Sequence, residues 1–391
     1  MSLMPEGDRL RIVQVNADYD AAIRTAPQLL DAYPTLCEWG ETVQAAGAVV
    51  ATVQRFHKAS LETRGDLQYV FVRDSSPPLL PWWRASSAVC DAVRAWRPDL
   101  IHVNGLQFPA LVRALRNSVA PSVAIVAQDH AGQPPRTPTL LGDMRRWLWR
   151  RGLWAADACS FTAAAQAIPW RDARLLPDGP VLEILEGSTR MRAEPRESAR
   201  AITGLGGTPA ILWAGRLNAN KDPLTVLSGL ELALPHLPHA HAHFVYAAGD
   251  LEDRVRTRVA ASSVLRNRVT LIGAVPHRLI SSFFSAADIY VSGSHREGSG
   301  YALIEALACG VRPVITDIPS FRAIAEAHAC FWTPGDAASC AAALRRAASD
   351  GPAGPETRRR HFEQVLSWPA IAARTLEAYQ AIVDRRRAHT S

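Results

Sequence analysis

Short apolar runs alternate with stretches of helical period along nearly all of this 391-residue chain, and that alternation leaves few folds open. Residues 11–16, R-I-V-Q-V-N, read as a first strand, and a helical stretch with Leu29, Leu30, Tyr33 and Leu36 on one side follows. Further strands are expected at 48–54, 67–73, 100–103, 123–128 and 156–161, with a helix over 85–96. A second alternation supplies strands at 210–214, 243–247, 269–272, 289–291 and 314–316 and a helix over 222–234. Parallel strands need long crossovers, so each series implies a doubly wound parallel sheet covered by helices. Between them, residues 187–208 carry charges and glycines but no large apolar cluster. The expectation is an α/β protein of two Rossmann-like domains facing a central cleft: 1–190, a linker at 191–208, 209–365, and a helical tail at 366–391.

Composition narrows the setting. The chain is 48% apolar and 20% charged, which suits a globular protein with ample core. No run of 18 uncharged apolar residues suggests a membrane span, and Arg9, Arg11, Asp18, Asp20 and Arg24 break up any signal-peptide core, so a cytoplasmic protein is expected. Six cysteines (37, 90, 159, 309, 330, 340) lack a C-x-x-C pair and read as buried free thiols in a reducing compartment. Up to residue 190 there are 20 basic and 19 acidic residues, and beyond it 23 and 18, which together give the net charge of +6. The excess lies in the second half. No basic run with interleaved aromatics marks a nucleic-acid surface.

The segment 295–316, H-R-E-G-S-G-Y-A-L-I-E-A-L-A-C-G-V-R-P-V-I-T, carries the most chemistry. Glu297 and Glu305 bracket seven residues. Gly298-Ser299-Gly300 is too flexible for a strand or a helix interior and reads as a loop feeding a helix from Tyr301, with Gly310 placed as its left-handed cap. A glycine loop opening a helix presents backbone N–H groups and a positive dipole end, which suit a phosphate. Flanking carboxylates accept hydrogen bonds from hydroxyls, so a sugar nucleotide is the natural ligand; the alternative is a plain helix start with an acidic first turn. Upstream, Gly215-Arg216 follows a strand end, where open α/β sheets place ligands, and Lys221 lies five residues on. Arg216 offers a planar fork for two phosphate oxygens, and Lys221 a compact point charge. Only one other lysine, Lys58, exists in the chain.

These two segments resemble the E-x7-E signature and the G-R-L…K phosphate motif of the retaining GT-B glycosyltransferases of family 4 (glycosyl transferases group 1), in the same order and at about the family's separation. Weaker likeness extends from residue 12 to the mid-380s. The resemblance implies a metal-independent hexosyl- or glycosyltransferase moving a sugar from a nucleotide-diphosphate donor, such as a UDP- or GDP-sugar, to a hydroxyl of a glycan, lipid-linked or small-molecule acceptor, with no cofactor. It implies that Arg216 and Lys221 bind and stabilise the leaving diphosphate, that Glu305 accepts the ribose hydroxyls, and that Glu297 contacts the transferred sugar. Gly215 would allow close approach, and Gly298, Ser299, Gly300, Tyr301 and Ala302 would offer backbone groups. Ser299 and Tyr301 replace residue types more often aromatic or aliphatic there. The resemblance also implies that the C-terminal helix crosses back onto the N-terminal domain and that the acceptor binds mainly to that domain.

Residues 273–277 match where the family cradles the nucleobase, with Val275 at the centre, although a plain strand-to-helix turn explains them equally well. Gly249-Asp250 resembles a further turn near the donor. His130, after Gln128-Asp129 at a strand end, matches a family histidine that touches the donor sugar or its phosphate; the other reading is a solvated loop histidine. Asn104-Gly105 is placed to face the same cleft, and Glu186-Gly187 stands at the family's hinge. The first loop, Asn16 to Asp20, lacks the family's glycine pair. His239, His241 and His243 alternate as metal ligands or as a solvent-facing strand start, and no metal is assigned. Residues 144–154, M-R-R-W-L-W-R-R-G-L-W, read as a peripheral contact with the inner membrane face or as a helix with tryptophans inward and arginines outward. The rival functions are a sugar-nucleotide epimerase or phosphorylase of the same fold, and a non-catalytic sugar-nucleotide-binding scaffold.

Overall fold

The computed structural model describes residues 9–130, 132–135, 140–349 and 354–390. Two units divide the chain: residues 1–187 with 368–391, and residues 188–367. Each is built on one sheet.

In the first unit the strands are β1 Arg11–Asn16, β2 Val49–Phe56, β3 Ser60–Arg64, β4 Leu67–Arg73, β5 Leu100–Asn104, β6 Ala124–Gln128, β7 Ala158–Phe161 and β8 Val181–Glu183. Their order is β3-β4-β2-β1-β5-β6-β7-β8, parallel throughout except for β3 against β4. Ile12, Val13 and Val15 have no exposure, as a central strand buried on both faces requires. In the second unit β9 Ala210–Arg216, β10 His241–Ala247, β11 Val269–Gly273, β12 Ile289–Ser292, β13 Arg312–Thr316 and β14 Cys330–Trp332 form an all-parallel sheet ordered β11-β10-β9-β12-β13-β14. All carboxyl ends in that sheet therefore share one edge.

Four expectations need correction. The helical stretch over Leu29–Leu36 is two helices, Ala26–Ala32 and Pro34–Ala45, because Pro34 cannot continue the first and instead starts the second. Tyr33 is 45% exposed rather than on a buried stripe. The 191–208 segment contains a helix, Arg196–Thr203, that belongs to the second unit. Arg196 and Arg200 reach Asp288 at 2.6 and 2.9 Å, and only Ala199 is buried, so composition alone hid the docking. Finally, β3, β8 and β14 were not anticipated: all are edge strands of three to five residues, and β3 (S-L-E-T-R) is largely polar.

The tail forms one helix, Trp368–Thr390, within the first unit. Trp368 Nε1 donates to Glu38 at 3.1 Å, Arg386 pairs with Asp157 at 3.1 Å, and Arg387 with Asp99 at 2.6 Å. The Tyr379 hydroxyl meets Nδ1 of the buried His102, whose Nε2 lies 2.7 Å from Asn104 Oδ1. Burial first, and the neighbouring His130 charge, push His102 down to about 4, although bonds to Asn104 and Gln128 oppose them. The neutral ring thus accepts from Tyr379 and donates to Asn104, and Asn104 Nδ2 in turn donates to Asn16 Oδ1. A chain of side chains links the tail helix to the carboxyl ends of β1 and β5. Tyr379→Phe strands the buried Nδ1 acceptor and should cost about 1–3 kcal/mol, read as a lowered denaturant midpoint of the first unit's transition.

Candidate active site

The sheet of the second unit delivers its candidate residues to one edge. Arg216 is the last residue of β9, and Gly293 to Gly300 follow β12 directly. The backbone register pairs Gly215 with Tyr246 and Arg216 with Ala247 on β10, and Val245 with Gly273 on β11. Val275 therefore lies beyond the end of the edge strand, two strands from Arg216, or roughly 10 Å at the usual strand spacing. Val275 does share the edge with the other candidates.

The loop after β9 is rigidly built. Asn218 N–H donates to Arg216 O at 2.9 Å, and Lys221 N–H to Asn218 Oδ1 at 3.0 Å. Asp222, in the left-handed region at φ 41°, caps the helix Pro223–Ala233 through Thr225 N–H at 3.2 Å. Gly249 must be a glycine, because an added Cβ would lie 2.3 Å from Leu217 O.

This loop is tied to the one after β12. His295 N–H donates to Asn220 O at 2.8 Å, Asn220 Nδ2 to Arg296 O at 2.9 Å, and His295 Nε2 lies 3.0 Å from Asp222 Oδ2. Gly293 permits the approach, since a Cβ there would meet Asp222 O at 2.9 Å. At the centre Lys221 Nζ forms an ion pair with Glu297 Oε1, with side chains 28% and 13% exposed. Lys221, the second of the two cations, is thus paired with the first of the two carboxylates, while Arg216 is exposed and makes no ion pair among the described residues.

Gly300 adopts φ 61° as N-cap of the helix Tyr301–Ala308, and Ile324 and Phe321 crowd the space where a side chain would stand. Ser299 is buried, Tyr301 is 38% exposed, and Gly298 and Ala302 flank the same helix start. Gly310 at φ 76° ends the helix as expected, with its N–H on Leu307 O and Val311 N–H on Ala306 O. Glu305 sits within this helix, and burial raises it from 4.5 to about 7. Nearby Tyr290 is pushed up, by burial first and also by the charges of Glu297 and Glu305, so both carboxylates bear on one interior point.

His130 lies in the first unit, beyond β6, where its Nδ1 contacts Glu186 Oε2. Burial opposes its charge, but Glu186 and then Asp129 outweigh that and raise it. The first βα loop is organised by Arg55, a fully buried arginine that donates to Ser76 O at 3.2 Å and Pro77 O at 2.7 Å and also to Ala17 O. Neither Arg55 nor the Asn218–Asp222–His295 clamp was singled out in the sequence. The N-A-N-K-D-P string, with its capping residues before a proline, was the available signal for the clamp.

Other candidates resolve differently. His243 is buried and bonded to Gly206 O at 2.9 Å, His241 meets Thr270 Oγ1 at 2.8 Å, and no group of three potential metal ligands occurs among the described residues. Five of the six free cysteines are buried and Cys330 is partly so. A cavity of about 450 Å³ lined by Arg196, Ser285, Gly310 and Arg359 lies at the amino ends of β12 and β13, opposite the candidate site. In the 144–154 stretch the tryptophans divide between core and surface. Trp149 is buried against Trp170, whereas Trp147 and Trp154 are exposed with Arg151 and Arg150 over their rings at 5.1 and 3.9 Å. Leu79 and Trp83 are exposed as well, and no described helix is long and apolar enough to cross a membrane.

Residues 195–364 match the sequence profile of glycosyl transferases group 1, and residues 17–181 that of the glycosyl transferase 4-like domain. Together the two matched segments take in most of the chain and support a group 1 glycosyltransferase. It is 25% identical over 247 residues to a GDP-mannose:cellobiosyl-diphosphopolyprenol alpha-mannosyltransferase of Xanthomonas oryzae, covering 61% of this chain and 60% of that protein. It is 30% identical over 202 residues to a D-inositol 3-phosphate glycosyltransferase of Pseudarthrobacter chlorophenolicus, covering 50% and 48%. The matches thus span about half to three-fifths of those relatives' lengths. Among solved structures, a sucrose-phosphate synthase from Thermosynechococcus elongatus superposes with a TM-score of 0.71 at 19% identity, covering 96% of this chain and all of that one. The fold is GT-B.

Glu305 generates a prediction in the absence of ligand. Its folded value exceeds its unfolded one, so between about pH 4.5 and 7 the native state holds a proton that the unfolded state releases. Stability should therefore fall as pH rises through that window, by about 3 kcal/mol if this group acts alone. Glu305→Gln should flatten that part of a plot of melting temperature against pH.

Proposed function

We propose that this chain is a retaining glycosyltransferase that moves a sugar from a nucleotide-diphosphate sugar to a hydroxyl acceptor. The observation that carries the reading is the tie between Lys221 and Glu297 beside an exposed Arg216, at the carboxyl edge of a parallel sheet and next to a glycine-started helix. Two cations and a helix N-terminus supply charge stabilisation for a departing diphosphate, so the reaction needs no metal. Glu305, held partly protonated by burial, gains most from hydroxyl donors such as a ribose diol. Glu297 then serves both Lys221 and the hydroxyls of the transferred sugar.

In the step itself the acceptor oxygen bonds to the anomeric carbon as the bond from that carbon to the phosphate oxygen breaks. The acceptor's proton passes to the departing diphosphate, on the same face, so no protein base is required. The donor binds the second unit, which carries Arg216, Lys221, Glu297 and Glu305. A polyprenyl-diphosphate-linked acceptor and a GDP-sugar donor are what the Xanthomonas relative's name specifies, and they set the first substrates to try. The exposed Met144, Trp147, Leu148 and Trp154, with Leu79 and Trp83 and arginines between, suit the surface of an anionic membrane that carries such an acceptor. Flotation should show binding to anionic but not to neutral vesicles, and Trp147→Ala combined with Trp83→Ala should abolish it.

Arg216→Ala and Lys221→Ala should each lower kcat/KM by about 100- to 1,000-fold, the scale of one lost oxyanion-stabilising donor, without loss of the folded transition. A non-catalytic scaffold would show no turnover with any donor and no change in partner binding in either variant.

A further inference from the structure

The cavity of about 450 Å³ at the amino ends of β12 and β13 has no part in the transfer chemistry, and its lining lies wholly within the second unit. Its volume falls in the range of roughly 300–1,000 Å³ that small-molecule sites occupy. On one side, the segment leading into the helix Arg196–Thr203 is bonded to the helix Ile280–Ala286. Glu194 N–H donates to Ser285 Oγ at 3.0 Å, and the Glu194 carboxylate accepts the Ser281 and Ser282 hydroxyls at 2.7 and 2.8 Å. On the other side stands Arg359, from the helix Pro355–His361. Its guanidinium lies over Gly310, where an added Cβ would be 2.8 Å from Arg359 Nη1. Cys309 and Gly310 follow the helix Tyr301–Ala308, so the cavity touches the far end of the helix that carries Glu305.

Cations crowd this space. Arg196 lines it and pairs with Asp288, but that carboxylate is shared with Arg200 and also accepts Ala210 N–H at 2.8 Å. Behind the wall, the buried Arg358 donates to Gly310 O at 2.9 Å. Burial first, and then the charges of Arg312, Arg359 and Arg196, hold Arg358 down to about 10, so four guanidinium groups act on one another here. Arg359 makes no side-chain hydrogen bond and no ion pair among the described residues. The carboxylates that line the cavity are Glu194 and Glu356.

We propose that this cavity is a second ligand site, apart from the donor site, for a small phosphorylated polyol, with the phosphate held by Arg359 and Arg196 and the hydroxyls donating to the Glu194 carboxylate. The planar fork of an arginine suits two phosphate oxygens. An ionised carboxylate has about four acceptor positions, so two serine hydroxyls leave room on Glu194 for those of a ligand. The same carboxylate repels a bare anion, which is why the cavity suits a phosphate that carries hydroxyls better than phosphate alone. The proposal does not depend on the transferase reading.

The test is calorimetric titration of the full chain, in a buffer free of phosphate, with sorbitol 6-phosphate, sorbitol and inorganic phosphate. Sorbitol 6-phosphate should bind at one site, more tightly than either of its parts. Because a phosphate could also enter the donor site, the titration is repeated in Arg216→Ala, where the affinity should be unchanged. Arg359→Gln should weaken binding by about ten-fold or more, the scale of one lost bond to a charged group. Arg359→Lys, which keeps the charge but not the fork, should fall between that variant and the wild type. Binding that is lost in Arg216→Ala and kept in Arg359→Gln would put the ligand in the donor site and overturn the proposal. Binding indifferent to both substitutions, or no binding to the wild type, overturns it as well. Inorganic phosphate binding as tightly as sorbitol 6-phosphate would overturn the role given to Glu194.

Discussion

Two loops at one edge of a six-stranded sheet are bound to each other with no ligand needed to join them, and the chemistry depends on that bond. Lys221 is a long, flexible side chain, and an unrestrained one would lose much of its freedom on meeting a diphosphate. Its pairing with Glu297, backed by the Asn220, Asp222 and His295 contacts between the same loops, has already removed that freedom in folding. The residues responsible are small or capping types: Gly293, which lets the backbones meet, and Asp222, whose left-handed conformation turns the chain into its helix. Preorganisation of this kind lets charge stabilisation act at the moment the diphosphate leaves.

The two carboxylates are made unequal by their surroundings. Glu297 has a cation beside it, whereas Glu305 stands in a helix among apolar side chains, where burial alone lifts it to about 7. Of the pair, Glu305 is the one whose charge has the most to gain from a ligand's donors. Its cost to the folded protein is consistent with a site selected for binding rather than for stability.

Much of this was legible in the sequence, for identifiable reasons. Central parallel strands such as β1 and β9 are apolar on both faces and announce themselves. Edge strands such as β3, with half their side chains in solvent, do not. Glycine and proline punctuation located the helix from Tyr301 and its cap at Gly310. A resemblance in two motifs carried the family, and the sequence matches bear that part out. What could not be read were relations between distant residues: Arg55 with Ser76 and Pro77, His130 with Glu186, and the Tyr379–His102–Asn104–Asn16 chain. Each needs a tertiary fold to bring its members together. The helix Arg196–Thr203 was missed for another reason, since it docks through arginines on Asp288 and offers almost no apolar signal.

The most direct measurement is calorimetric titration of UDP and GDP, in buffers of different ionisation enthalpy, into the wild-type chain and into Glu305→Gln. The account predicts one site for one of these nucleotides, with release of about half a proton per nucleotide near pH 7 as ribose hydroxyls draw Glu305 to its charged form. That release should vanish in the glutamine variant. Binding with no proton release, or with release unchanged in Glu305→Gln, would contradict the role given to this carboxylate. No binding of either nucleotide to the folded protein would contradict the donor site as a whole.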